Sequence, residues 1–312
     1  MDWLLTGIGL LLLLGAGDAL VRGAVNTSLR LGVPALIVSL TIVAFGTSAP
    51  ELLISVQAIL DGVPELALGN VVGSNTANVL LVLGVPAIIA AMHTSEHDTR
   101  SSYVQMLLAT CLFIGLAFTG VLVWWSGLLL LAALAAMLTH AALSARKHKA
   151  AACDDEDDIE GADPNLSWTK IIAFLIAGLI GLPLGAALLV EGATNIARAY
   201  DVPEAVIGLT LVAIGTSLPE LATTVVAAIR RQADVALGNV IGSNMFNLLG
   251  ILGVASLVGP IPVAEEFLEF DIWVMAGASL LLIPFVFLRQ NLTRIWGVIL
   301  TILYAGYLVF LL

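Results

Sequence analysis

The chain has 312 residues, of which 60% are hydrophobic and only 11% are charged. A soluble globular domain is about 25% charged, so this composition excludes that class and indicates a protein that crosses a membrane repeatedly. The formal net charge of −11 says little about partners, because many of the acids lie in one short stretch, residues 154–163.

Ten apolar spans are predicted from the proline, glycine and charged residues that separate them. They are residues 3–21, 34–60, 65–91, 102–118 and 122–142 in the first half, and 168–190, 203–229, 233–257, 272–288 and 295–312 in the second. The first span lacks the basic start and the small-residue cleavage site of a signal peptide, so we interpret it as a retained helix.

A long stretch of the chain occurs twice. Residues 40–84 align without a gap to residues 209–253, at an offset of 169, and roughly half of the aligned positions are identical. Because each copy carries five spans, an odd number, the second copy enters the membrane from the opposite side. The predicted fold is an all-α polytopic membrane protein of ten transmembrane helices, in two inverted five-helix repeats at residues 1–143 and 166–312, joined by a charged linker at 144–165.

The positive charges orient the chain. If the N-terminus is outside, every Lys and Arg except Arg198 lies in a loop or span end on the inner side. Inner loops carry an excess of Lys and Arg, so both termini are predicted outside and the linker in the cytoplasm, in the plasma (inner) membrane of a prokaryote. The acids of the linker lack the glycine and the ligand spacing of an EF-hand loop, so we interpret it as a solvated tether.

Two acids, Glu51 and Glu220, lie well inside predicted spans and at equivalent positions of the two copies. A charge at the bilayer centre costs about 2.5–3.5 kcal/mol on insertion scales. No Lys or Arg is predicted near the middle of a span to pair with either acid. Two isolated carboxylates at equivalent positions are therefore predicted to share a cation.

The neighbours of these acids supply oxygen ligands. Hydroxyls three and four residues before each glutamate share its helix face, and the next span of each copy repeats a serine and an asparagine four apart. Pro50 and Pro219 break the helix hydrogen-bond ladder, which predicts freed carbonyls near Ala44 and Ala213. The candidate metal-binding residues are Glu51, Glu220, Thr47, Thr216, Ser48, Ser217, Ser74, Ser243, Asn78, Asn247, Ala44 and Ala213. An all-oxygen set with two carboxylates favours Ca²⁺.

The motifs GTSAPE with GNVVGSNTAN, and GTSLPE with GNVIGSNMFN, closely resemble the paired α-repeats of the cation/Ca²⁺ exchanger superfamily, above all the short prokaryotic Na⁺/Ca²⁺ exchangers. The resemblance implies that the second, third, seventh and eighth helices enclose the ions. It makes the two glutamates the Ca²⁺ carboxylates, with oxygens added by the two threonines. It assigns Na⁺ sites to the remaining hydroxyls and carbonyls of the set, namely Ser48, Ser74, Ser217, Ser243, Ala44 and Ala213.

One position departs from the family pattern. Asn247 is an aspartate in several relatives, including the archaeal type and the K⁺-dependent branch, whereas here it is an amide that matches Asn78. The ion cluster then carries two formal negative charges and no third, which argues against K⁺ co-transport.

The predicted function is a secondary active antiporter that exchanges Na⁺ for Ca²⁺ by alternating access and extrudes Ca²⁺, and not an enzyme. Its predicted partners are these two ions and the lipid bilayer, without cofactor, nucleic acid or obligate protein partner. A Ca²⁺/H⁺ antiporter, in which protonation of the glutamates replaces Na⁺, is the first alternative, and Mg²⁺ or Mn²⁺ is a further candidate substrate. An intramembrane hydrolase with a glutamate dyad would need the acids to share a proton, and an ion channel suits an inverted repeat less well.

Overall fold

The computed structural model describes residues 1–94, 99–151, 163, 166–202 and 213–311, with the side chains of 145–151 and 213 left out of the description. It is helical almost throughout. In chain order the elements are α1 (Asp2–Leu31), α2 (Ala35–Thr47), α3 (Ala49–Leu60), α4 (Pro64–Ile89), α5 (Arg100–Ala117), β1 (Val121–Leu122), α6 (Trp124–Ala151), α7 (Trp168–Ala199), α8 (Ala213–Thr216), α9 (Leu218–Ile229), α10 (Ala233–Val258), β2 (Ile261–Pro262), α11 (Phe267–Val286) and α12 (Arg294–Leu311).

The structure supports a polytopic membrane protein. Among the described residues, eight helices are long and apolar enough to cross a membrane, or nine if the bent pair α2–α3 is one span. The first ten residues of the predicted span 203–229 lie outside the described part, so the count of ten stays a prediction. The acidic residues 154–162 of the predicted linker also lie outside it. The backbone of α6 continues as helix to Ala151, so the first residues of the predicted linker, 144–151, are helical.

The loops between spans gather on two faces. We call the face where α6 ends and α7 begins the linker face, and the opposite one the far face. Arg30, near the end of α1, donates a hydrogen bond to the Leu166 carbonyl on the linker face (2.6 Å). A backbone bridge joins Met92 to Leu292, and since successive spans alternate in direction, these two loops also lie on the linker face. The β1–β2 pair closes part of the far face.

The helices α1 and α7, of 30 and 32 residues, are longer than the predicted spans 3–21 and 168–190. The predictions ended each span at a charged residue, Arg22 or Glu191, but neither residue ends its helix. Arg22 is paired with Asp18 one turn earlier (2.9 Å), so its charge is tolerated within α1. That helix ends instead at Gly32, whose left-handed φ of 64° lets its N–H cap the last turn.

Close glycine contacts pack α1 against α7. A Cβ at Gly178 would lie 2.5 Å from the Cβ of Leu20, and a Cβ at Gly9 would lie 2.5 Å from the backbone nitrogen of Leu189. Small residues let membrane helices approach this closely. Adding the offset of 169 to Gly9 and Leu20 gives Gly178 and Leu189, so the two contacts occupy equivalent positions of the two halves.

Both spans that carry the glutamates are interrupted at a serine. The backbone leaves the helix at Ser48 (φ −86°, ψ 2°) and at Ser217 (φ −87°, ψ 3°), and α2 and α3 meet at a bend of 42°. The predicted breaks are thus present. The prediction for the Ala44 carbonyl is wrong, because that oxygen accepts the N–H of Ser48 at 3.0 Å. A proline removes the bond to the carbonyl four residues before it, which for Pro50 is Gly46.

The centre of the molecule is formed by α4 and α10. In the most apolar 18-residue stretch of each helix, 78% of the residues of α4 and 83% of those of α10 are buried. The same share is 33% for α1 and α7 and 17% for α6 and α12. Helices buried on nearly all sides can carry polar residues away from lipid, and the repeated GSN motifs of the sequence lie on these two helices. The broken spans α2–α3 and α8–α9 pack against them and bring the glutamates to this polar centre.

Candidate ion-binding site

Each helix break places a glutamate in the first turn of the helix that follows. Glu51 lies in the first turn of α3 and Glu220 in that of α9. Both side chains are buried, with 1% and 0% exposed. A helix N-terminus stabilises negative charge, so the breaks at Ser48 and Ser217 create a favourable position for each carboxylate.

Residues of the two halves meet around these carboxylates. Ser48 Oγ donates to Glu220 Oε1 at 3.3 Å, although the two residues belong to different copies of the repeat. The hydroxyl oxygens of Thr47 and Ser243 are 3.4 Å apart, and Thr47 Oγ1 also donates to Asn239 Oδ1 at 3.3 Å. The site is therefore an interface between the halves.

Most of the remaining predicted residues are buried as well. Buried side chains are those of Ser74, Asn78, Ser217, Ser243 and Asn247, together with Ala44. Thr216 is half-buried, and for Ala213 only the backbone is described. Ser217 N–H bonds to the carbonyl of Ile214 at 3.0 Å, so it does not repeat the Ser48–Ala44 bond of the first copy.

Five oxygen atoms of the predicted site residues are buried and have no hydrogen-bond partner among the residues that the structure describes. They are Glu51 Oε2, Glu220 Oε2, Asn78 Oδ1, Asn247 Oδ1 and Ser217 Oγ. A buried polar atom without a partner is costly and rare in native proteins. Oxygens are the ligands that hard cations prefer, so a bound cation is a suitable partner for atoms of this kind. Within the described part there is no group of three or more His, Cys, Asp or Glu that could hold a metal, so the site combines two carboxylates with neutral oxygens.

Two asparagines that the sequence analysis missed hold the backbone of the glutamates. Asn70 Nδ2 donates to the Glu51 carbonyl at 3.2 Å and to Ser55 Oγ at 3.0 Å. Asn239 Nδ2 makes the equivalent bonds, to the Glu220 carbonyl at 3.3 Å and to a hydroxyl of α9 at 3.2 Å. Both are the asparagine of the repeated GNV stretch, so the repeat itself carried the signal.

Asn75 and Asn244, of the repeated GSN stretch, were missed as well. With Asn78 and Asn247 they form a buried cluster that we call the asparagine quartet. Asn78 Nδ2 donates to Asn244 Oδ1, and Asn247 Nδ2 donates to Asn75 Oδ1, each at 3.0 Å. Each bond joins one half of the chain to the other.

Comparison with known proteins identifies the family. The family described as sodium/calcium exchanger protein matches residues 1–143 and 170–312. The chain belongs to this family. The exchanger is 34% identical to the sodium/calcium exchanger MaX1 of Methanosarcina acetivorans over 344 aligned positions, covering 100% of this chain and 98% of the relative. It is also 34% identical to the inner membrane protein YrbG of Escherichia coli over 255 positions, covering 81% and 78% of the two chains.

Comparison with solved structures supports the same family. The exchanger superposes on the sodium–calcium exchanger NCX_Mj soaked with 2.5 mM Na⁺ and 1 mM Sr²⁺ with a TM-score of 0.84, at 32% identity, covering 99% of this chain and 97% of that one. The resemblance to short prokaryotic members of the cation/Ca²⁺ exchanger superfamily is thus confirmed, and the exchanger is a multi-pass membrane protein of a transporter family.

Proposed function

We propose that this exchanger is a secondary active antiporter that exchanges Na⁺ for Ca²⁺ across the membrane by alternating access and extrudes Ca²⁺. The observation that carries the proposal is the set of five buried, unpartnered oxygens, two of which belong to the carboxylates of Glu51 and Glu220. Two negative charges balance one divalent cation. The same charges balance two monovalent cations, so Na⁺ and Ca²⁺ compete for one site.

The proposed ligands follow the two halves. Ca²⁺ is held by Glu51 and Glu220, with oxygens added by Thr47 and Thr216. The unpartnered amide oxygens of Asn78 and Asn247 complete the Ca²⁺ site. Na⁺ takes the flanking oxygens, which are those of Ser48, Ser74, Ser217, Ser243 and the backbone carbonyls at Ala44 and Ala213. Because the Ala44 carbonyl accepts the N–H of Ser48 at 3.0 Å and also faces the Thr47 hydroxyl at 3.3 Å, it would bind the ion only with the Thr47 proton turned to another acceptor.

The proposed architecture is ten transmembrane helices in two inverted five-helix repeats, residues 1–143 and 166–312, with both termini outside and the linker in the cytoplasm. The equivalent glycine contacts of α1 and α7 support the repeats. The excess of Lys and Arg on the linker face supports the orientation, and the inner membrane of a prokaryote is the proposed location.

The two helices that follow the breaks, α3 and α9, are not equally covered by the rest of the protein. On α9, Ala222 and Thr223 are 7% and 0% exposed, and a Cβ at Gly17 of α1 would lie 3.2 Å from the Ala222 carbonyl. The equivalent residues of α3, Leu53 and Ile54, are 71% and 38% exposed. The protein therefore covers α9 more completely than it covers the equivalent helix α3.

The test is Ca²⁺ flux into proteoliposomes of the purified protein under imposed Na⁺, K⁺ or H⁺ gradients. A Na⁺ gradient should drive Ca²⁺ flux without K⁺. Flux driven equally well by a pH gradient in Na⁺-free buffer would replace the proposal with a Ca²⁺/H⁺ antiporter. Flux that needs no counter-ion gradient and no exchanged ion would indicate a channel.

A further inference from the structure

The direction of the hydrogen bonds in the asparagine quartet is set by two backbone carbonyls. Asn75 Nδ2 faces the backbone carbonyl of Asn244 at 3.3 Å, and Asn244 Nδ2 faces that of Asn75 at 3.5 Å. A carbonyl oxygen only accepts hydrogen bonds. The side-chain atoms that face these carbonyls must therefore be the amide nitrogens.

The orientation of Asn75 and Asn244 in turn fixes the orientation of the amides of Asn78 and Asn247. With their nitrogens turned to the carbonyls, Asn75 and Asn244 present Oδ1 to Asn247 and Asn78. An acceptor requires a donor, so Asn247 and Asn78 must turn Nδ2 toward the opposite half, as observed at 3.0 Å in both cases. Their Oδ1 atoms then point away from the quartet, and these are the two amide oxygens that are buried without a partner.

We propose that Asn75 and Asn244 are positioning residues that hold the amides of Asn247 and Asn78 with the oxygen, and not the NH₂ group, toward the ion. This inference rests on the proposed function and deepens it. Each positioning residue acts on the ligand of the other half, so a change in one half alters the ion ligand contributed by the other.

The quartet also selects the kind of ligand. The Oδ1 of Asn75 accepts only from a donor, so position 247 suits an amide or a protonated acid and opposes an ionised carboxylate. The same holds for Asn244 and position 78. The two positioning residues thereby keep the total charge of the centre at that of Glu51 and Glu220.

The first experiment replaces one positioning residue at a time. In Asn75→Ala and Asn244→Ala, the ligand amide loses its orienting acceptor and turns its NH₂ group toward the ion in part of the population. We expect the Ca²⁺ affinity to fall about tenfold, the effect of losing one buried hydrogen bond, with a smaller change in the maximal exchange rate. The readouts are equilibrium ⁴⁵Ca²⁺ binding to the purified protein and the Ca²⁺ KM of exchange.

The matched control is Thr76→Ala on the same helix. Thr76 is fully buried and its hydroxyl donates to the Val72 carbonyl at 3.0 Å, so this variant also loses one buried hydrogen bond, but outside the quartet. We expect its Ca²⁺ affinity to stay at the wild-type value. An equal loss of affinity in Thr76→Ala would overturn the proposal, because it would show an effect of helix packing alone.

A double-mutant cycle separates positioning from general stability. If Asn75 acts through Asn247, then Asn75→Ala should weaken Ca²⁺ binding in the wild type but add little to Asn247→Ala. Equal losses on both backgrounds would overturn the proposal. If Asn75→Ala fails to fold, Asn75→Ser, which shortens the side chain but keeps it polar, takes its place. A wild type without exchange would instead refute the proposed function, so the two failures are distinguishable.

Discussion

The two glutamates occupy equivalent positions, yet their neighbours differ. Ser48 Oγ donates to Glu220 Oε1. The equivalent hydroxyl of the second half, Ser217 Oγ, has no partner among the residues described, and neither does Glu51 Oε2. The centre therefore has the symmetry of the sequence repeat in composition but not in its hydrogen bonds, and the two carboxylates can differ in ion affinity while both remain necessary for charge.

Removing either carboxylate should abolish Ca²⁺ transport. In Glu51→Gln and in Glu220→Gln, a buried divalent cation loses half of its countercharge. Breaking a buried ion pair costs about 3–5 kcal/mol, so we expect Ca²⁺ exchange in proteoliposomes to fall at least about 100-fold. Glu65→Gln is the control, because Glu65 is an exposed acid at the start of α4. Exchange at the wild-type rate in either of the first two variants would show that carboxylate to be dispensable.

Asn247→Asp should make exchange dependent on pH. An ionised aspartate would face Asn75 Oδ1, acceptor against acceptor, and would lie beside two other carboxylates, whereas a protonated aspartate could donate as the amide does. The variant should therefore retain Na⁺-driven Ca²⁺ exchange at low pH and lose it as the aspartate ionises with rising pH. A K⁺ response is expected only in the ionised form. The measurement is Ca²⁺ flux across a pH series with and without K⁺, and profiles that superimpose on the wild type would remove Asn247 from the ion cluster.

At the scale of helices, the sequence predicted the features that depend on residues close together in the chain. Breaks in these two spans were predicted because a proline lacks the N–H that a helix needs, although their position at Ser48 and Ser217 was not. The ends of α1 and α7 were not, because whether Arg22 ends a helix depends on Asp18 being there to pair with it. The roles of Asn75 and Asn244 were also missed, since their partners lie more than 160 residues away in the chain and no local pattern reports such a contact.

The contact between α1 and α7 gives a prediction about stability. In Gly178→Ala, the new Cβ would lie 2.5 Å from the Leu20 Cβ and 2.9 Å from its backbone, so the helices must move apart. Overpacking of this kind costs about 1–3 kcal/mol, and the Tm of the purified protein in detergent should fall by several degrees. Gly7→Ala on α1 is the control, because nothing lies within 4 Å of its Cβ. An unchanged Tm in Gly178→Ala would mean that the interface is loose.

At the scale of the whole molecule, an ion pair ties α1 to α9 on the linker side. Asp18 pairs with Arg22 on its own helix and with Arg230 at the end of α9. At an offset of 169, the positions of Asp18, Arg22 and Arg230 are taken by Ala187, Glu191 and Asp61. The far side therefore cannot form the same pair, and this difference in charge favours closure of the linker side.

Asp18→Asn should open the linker side more often. The pair is partly exposed, so it is worth at most about 1 kcal/mol, which is about a fivefold change in population. The measurement is the rate at which a membrane-impermeant thiol reagent labels Ala222→Cys, in a protein whose two native cysteines are replaced. We expect a rise of up to about fivefold. Asp61→Asn on the far side is the control, and an equal rise there would point to a loss of stability instead of an opened face.

The asparagine quartet has a consequence for how the sequence can vary. Because each ligand amide is oriented from the opposite half, a substitution at position 75 changes which residues position 247 can tolerate, and positions 244 and 78 are linked in the same way. A saturation library that varies one pair at a time should therefore show strong epistasis within 75–247 and within 78–244. The two halves would then be free to diverge over most of their length but would have to change together at these four positions.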